Sequence, residues 1–150
     1  MPRDKKSNLV YGFKCPSDQC GNSCVGETKQ ALKVRLYQHR NPSSGDQPDS
    51  AIYTHMRGSG HTFKNSDVLI LDSENRWHER GVKEAIYEWI EKPFMTTKLR
   101  FKLSHAWDPV LTTMPRCLST TIDPANQPSG TDSSNHHDGS GAVPQSVEGL

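Results

Sequence analysis

The chain is short of apolar residues. Only 32% of its 150 residues are hydrophobic, too few to pack the whole length around one core, so part of it is expected not to fold. No apolar run approaches the ~18 residues of a bilayer-crossing helix, which argues against a membrane span. The opening residues MPRDKKSN are charged and lack the apolar stretch of a secretory signal. Strong charge of one sign is also missing, since the net charge is only +1. That total conceals an asymmetry. Residues 1–112 carry 17 Lys/Arg against 13 Asp/Glu, whereas 113–150 carry one Arg and four acids. A mildly basic body permits contact with a polyanion without demanding it. Cysteines are few, four in all, but three of them stand at positions 15, 20 and 24. With no export signal visible, such a cluster points to thiol or metal chemistry rather than a disulfide framework, inert thiols being the bland alternative. No internal repeat is visible.

The length suits one domain. Residues 1–7 read as a polar lead-in. Leu9, Tyr11 and Phe13 alternate as in a strand. CPSDQCGN, residues 15–22, reads as a turn, and 23–26 as a second strand, so 8–26 form a hairpin with a long loop. Thr28 is the expected N-cap of a helix to His39, with Leu32 and Leu36 on its core face and Arg35 and His39 sharing another. Residues 41–49 form a loop. Ser50 is expected to cap a second helix carrying Ala51, Ile52, His55 and Met56, ended by Gly58-Ser59-Gly60. VLIL, residues 68–71, reads as a buried central strand. A helix over 76–91 follows, with Val82, Ala85, Ile86, Trp89 and Ile90 as its buried stripe and Pro93 as its stop. A piece over 99–111 is expected to dock through Leu103, Trp107, Val110 and Leu111. From 112 to 150 the chain is mostly small, polar and proline residues, which cannot offset chain entropy, and it reads as a disordered tail.

Two short pairs carry metal-ligand chemistry. Cys15-x4-Cys20 lies in the hairpin loop and His55-x5-His61 follows the second helix. Two thiolates and two imidazoles can close a tetrahedral structural zinc site, with Cys24 as a competing ligand.

The order of these features resembles the GIY-YIG nuclease domain, above all the kind found at the C-terminus of Penelope-like and related reverse-transcriptase elements. The resemblance spans residues 8–111. Leu9-Val10-Tyr11 and Cys24-Val25-Gly26 stand at the two triplets, followed by Glu27-Thr28, Leu32, Arg35 and His39. His55, Gly60-His61, the run from Lys83 to Tyr87, Glu91-Lys92-Pro93, Leu103-Ser104 and Ala106-Trp107 continue it. It implies an α+β fold: a small three-stranded, mostly antiparallel sheet flanked by helices. It implies metal-dependent nicking of double-stranded DNA, with no small-molecule substrate. The activity would be nuclear if chromosomal DNA is cut, and the protein otherwise cytoplasmic. Glu84 would hold one Mg²⁺ or Mn²⁺, and Arg35 would face the scissile phosphate, where its planar fork matches the oxygens. Tyr11 would orient or deprotonate water with help from His39, and Gly26 would let backbone approach the substrate. The rival reading of Glu84 is a surface pair with Arg80. Similar element-borne domains carry a Cys-Cys-His-His insertion of the kind seen here.

The chain departs from the pattern in several places: Leu9 stands for the first triplet's glycine, the glycine-rich turn after the last helix is shortened to Lys98-Leu99, and two further departures matter more. Cys24 replaces the tyrosine of the second triplet, and Thr96 is the nearest stand-in for an asparagine after Pro93. The reading is therefore an endonuclease domain, degenerate in part. Its alternatives are a zinc-stabilised nucleic-acid-binding domain without catalysis and a small structural zinc domain with a protein partner.

Overall fold

A computed structural model describes residues 1–43, 50–95 and 99–118. Most of the expected tail, 119–150, and Thr96 lie outside the described residues. The fold is α+β. A three-stranded antiparallel sheet of order β2-β1-β3 is built from β1 (Leu9–Lys14), β2 (Ser23–Thr28) and β3 (Val68–Ser73). Helices α1 (Leu32–Arg40), α2 (Ala51–Ser59) and α3 (Trp77–Glu91) flank it, and a single turn, α4 (Asp108–Leu111), follows. Among the described residues no helix is long and apolar enough to cross a membrane.

β1 lies at the centre, which is why it is buried along almost its whole length. Its alternating side chains serve two cores. Leu9, Tyr11 and Phe13 pack with Leu32 and Leu36 of α1, Ile52 of α2, Phe63 and Val68. Val10 packs with Val25, Leu118, Leu71 and Tyr87. Fully burying a Leu, Val or Phe is worth roughly 1.5–3 kcal/mol, so these two clusters supply much of the driving force.

Several expectations shift. VLIL is an edge strand, not a central one: within β3 only Val68 is buried, and Leu69 is 44% exposed. A bulge between Val10 and Tyr11 of β1 breaks the β1–β3 register, so the face alternation along β3 is interrupted. Thr28 ends β2 and does not cap α1. Its hydroxyl instead accepts the Gln30 N–H at 3.1 Å, and Ala31 precedes the helix. Ser50 does cap α2, accepting the Tyr53 N–H, and Gly60 stops that helix with φ 71°.

The largest difference is the buried face of α3. Ala85 and Ile90 are buried, but so are Arg80, Glu84, Glu88 and Glu91, while Val82, Ile86 and Trp89 are only half-buried. Arg80 and Glu91 are tolerated there because they find partners. Arg80 Nε donates to Glu27 Oε2 at 2.5 Å and its Nη1 to the Glu74 carbonyl at 3.0 Å. Arg100 closes on the other Glu27 oxygen at 2.8 Å. Glu91 accepts the backbone N–H groups of Cys117 and Leu118 at 2.5 and 2.8 Å.

That last contact moves the edge of the folded body past 112. Leu118 is buried, and Gly12 makes room for it: a Cβ on Gly12 would meet Leu118 Cδ2 at 2.7 Å. Of the apolar residues expected to dock from 99–111, only Leu111 is buried. Leu103 is half-buried, and Trp107 and Val110 are 52% and 55% exposed.

Candidate functional site

Tyr11 organises the site. The β1–β2 register sets it directly opposite Gly26. A Cβ at position 26 would lie 2.7 Å from the phenol oxygen and 2.8 Å from Cζ. Gly26 is thus required by the tyrosine ring itself. Gly26→Ala is expected to push the ring aside at a strain of about 1–3 kcal/mol. Loss of the Tyr11–His39 hydrogen bond, read by NMR, would accompany it; an unmoved phenol in the variant would contradict this packing.

The phenol points toward α1. Arg35 and His39 are one turn apart on that helix, so both reach the same spot. Tyr11 Oη lies 2.7 Å from His39 Nε2 and 3.4 Å from Arg35 Nε. His39 Nδ1 lies 2.6 Å from Ser50 Oγ. Burial pushes the Tyr11 phenol well above its usual range, with Arg35 pulling the other way. Burial also holds His39 down to about 3, reinforced by the positive charges of Arg35 and Arg40. At neutral pH both groups are uncharged.

Glu84 faces this network from α3. Burial raises its carboxyl from 4.5 to about 7, and the Glu27 charge adds to the rise. Arg100, a hydrogen bond from the Glu27 backbone and Arg35 oppose it. Tyr11 feels the Glu84 charge, and each feels Arg35. The surface pair with Arg80 does not form, since Arg80 turns to Glu27. Tyr11, Arg35 and His39 are therefore joined by hydrogen bonds across two elements, with Glu84 of α3 within electrostatic reach of Tyr11 and Arg35.

Cys24 lies beside them, opposite Phe13 on β2 and 3% exposed. Burial first, and then the Glu88 charge, push its thiol up to about 12. It is a neutral core thiol and stands outside the metal group described next.

Cys15, Cys20, His55 and His61 bring four ligand atoms within 4.8 Å of one another. Cys15 leaves the end of β1, its N–H bonded to the Asn22 carbonyl at 2.8 Å, which closes the neck of the loop. Cys15 Sγ is 3.4 Å from His61 Nδ1, and Cys20 Sγ is 3.5 Å from His55 Nε2. A tetrahedral zinc with ordinary Zn–S and Zn–N bonds sets sulfur and nitrogen about 3.5 Å apart, so the donor set fits such an ion. Asn22 Nδ2 lies 3.0 Å from the other nitrogen of His55 and 3.5 Å from Cys20 Sγ, placing an amide against both ligands.

Sequence reasoning assigned Ser50 only a capping role and missed Asn22 and Glu27. Ser50 carried a visible signal as an N-cap, but nothing local announces its contact with a residue eleven positions earlier. No family model, no curated protein and no solved structure matches the chain.

Proposed function

We propose that this chain is a metal-dependent DNA endonuclease domain of the GIY-YIG type, nicking double-stranded DNA by phosphodiester hydrolysis. The observation that carries the reading is the hydrogen-bonded set Tyr11–His39–Arg35 with Glu84 facing it. His39 Nε2 sits at hydrogen-bond distance from the phenol, and the negative charge of a bound phosphate would offset the burial and the Arg35 and Arg40 charges that hold its proton affinity low. As water attacks phosphorus, its proton passes to Tyr11 Oη while Tyr11 gives its own to His39 Nε2. A P–O bond to water forms, the bond to the leaving 3′ oxygen breaks, and that oxygen takes a proton from solvent. Arg35, partly exposed beside the phenol, turns its guanidinium to the phosphate oxygens. Glu84 would hold one Mg²⁺ or Mn²⁺, which when bound would offset charge on the phosphate and the leaving oxygen.

Cys15, Cys20, His55 and His61 would hold a structural zinc that ties the β1–β2 loop to α2. Action on chromosomal DNA would make the protein nuclear.

A second reading, a zinc-stabilised nucleic-acid-binding domain without turnover, draws on the buried neutral Cys24 and on the 2% exposure of Tyr11. Supercoiled plasmid separates the two. With Mg²⁺ the protein is expected to produce nicks that DNA ligase reseals, since hydrolysis at the 3′ oxygen leaves a 5′-phosphate beside a 3′-hydroxyl. DNA binding without nicks would favour the second reading.

A further inference from the structure

We propose that Ser50 is a positioning residue of this site, holding His39 in the tautomer that receives the Tyr11 proton. The proposal rests on the nuclease reading for its chemistry, but its geometry stands apart from it. The hydrogen inventory favours one direction for each bond, the one that gives the phenol hydrogen an acceptor. Arg35 Nε can only donate, so the phenol oxygen accepts from it. The single phenol hydrogen finds an acceptor in His39 Nε2, 2.7 Å away, when that nitrogen is bare. A neutral imidazole carries its one hydrogen on the other nitrogen, so Nδ1 donates to Ser50 Oγ at 2.6 Å. Ser50 Oγ has two acceptor positions. One takes the Tyr53 N–H at 3.1 Å and the other takes His39 Nδ1–H.

This arrangement passes rigidity from backbone to catalytic ring. The Tyr53 N–H belongs to the first turn of α2, so the place of Ser50 Oγ is set by a helix end. His39 is only 6% exposed, so water cannot readily replace the hydroxyl. Once the imidazole has taken the Tyr11 proton, Nδ1–H bears part of the positive charge and its bond to Ser50 strengthens. Without the hydroxyl, Nδ1–H is buried unpartnered, which favours the opposite tautomer. That tautomer sets a hydrogen on Nε2 against the phenol hydrogen and closes the route for the proton.

Two substitutions separate capping from positioning. Glycine is tolerated at an N-cap but has no hydroxyl, whereas threonine keeps both functions. Long-range ¹H–¹⁵N spectra of wild type are expected to show His39 with hydrogen on Nδ1. Ser50→Gly should shift it to Nε2 or to a mixture, and Ser50→Thr should restore Nδ1. Nicking should fall roughly 10- to 100-fold in Ser50→Gly, part of the 10²–10⁴ that a positioned proton acceptor contributes, and recover in Ser50→Thr. Hydrogen on Nε2 in wild type, or an unchanged tautomer in Ser50→Gly, would overturn the proposal. A tautomer that tracks Ser50 in a protein that never nicks DNA would support the positioning geometry and overturn the nuclease reading.

Discussion

Stripping zinc from the purified protein is expected to lower its melting temperature on the order of 15 °C. Zinc at a hundred to a thousand times its dissociation constant adds about 3–4 kcal/mol to a site that forms only on folding. Each kcal/mol moves the transition of a domain this size by roughly 4–8 °C. The loss should be large because the apolar share of the chain is small. The four ligands also come from separate parts of the fold. Cys15 and Cys20 belong to the loop after β1, His55 to α2 and His61 to the segment after it. Elemental analysis should find about one zinc per chain, as a closed Cys₂His₂ site requires. Cys20→Ser should lose both the zinc and the thermal shift produced by a chelator. Because α2 also begins at Ser50, removal of zinc should loosen the hold on His39 and slow nicking in excess Mg²⁺. A folded, zinc-free sample whose melting a chelator leaves unchanged would remove the metal from the account.

Glu84→Gln is expected to stabilise the protein at pH 8 while abolishing its nicking. The Glu84 pKa is raised in the fold, from 4.5 to about 7. The folded state therefore holds a proton that the unfolded state releases between these values. Its contribution is fully present below 4.5 and is lost as pH rises through about 7. By pH 8 the fold carries a buried carboxylate close to the Glu27 charge. The shift corresponds to about 3 kcal/mol at most, and partial solvent screening brings the expected gain in Glu84→Gln to about 1–2 kcal/mol. Thermal melts should show the two proteins alike at pH 4 and separated at pH 8. Added Mg²⁺ should raise the wild-type transition at pH 8 and leave the variant unmoved, because the cation offsets the charge that glutamine lacks. A variant less stable than wild type at pH 8 would mean that the carboxylate is held by partners rather than strained by burial. Stability gained where activity is lost marks a group kept for chemistry.

Features set by nearby residues were legible before the fold was known. The alternation of Leu9, Tyr11 and Phe13 predicted β1, and the turn spacing of Arg35 and His39 put them on one side of α1. The Cys15/Cys20 and His55/His61 pairs predicted the four-ligand group, which the fold assembles. Features set by distant partners were not legible. VLIL has the composition of a central strand, and only the pairing of β1 with both neighbours makes it an edge. The stripe read on α3 followed apolar side chains, but Arg80 finds Glu27 fifty-three positions away and turns a charged face inward. Leu118 sits in a polar stretch and is buried because Gly12, far upstream, leaves a space of its size. The close approach of Tyr11 to Gly26 is likewise shown only by the strand register.

The most direct test of the Tyr11–Arg35–His39–Glu84 site is the nicking rate of supercoiled plasmid by wild type and Glu84→Gln, purified identically and assayed in Mg²⁺ at pH 8. Wild type should generate nicked circles at a rate that EDTA abolishes, with the folded variant slower by at least about 100-fold, the loss of several kcal/mol of metal-assisted charge stabilisation. Equal rates for the two proteins, or a wild type that leaves the plasmid supercoiled, would contradict the assignment.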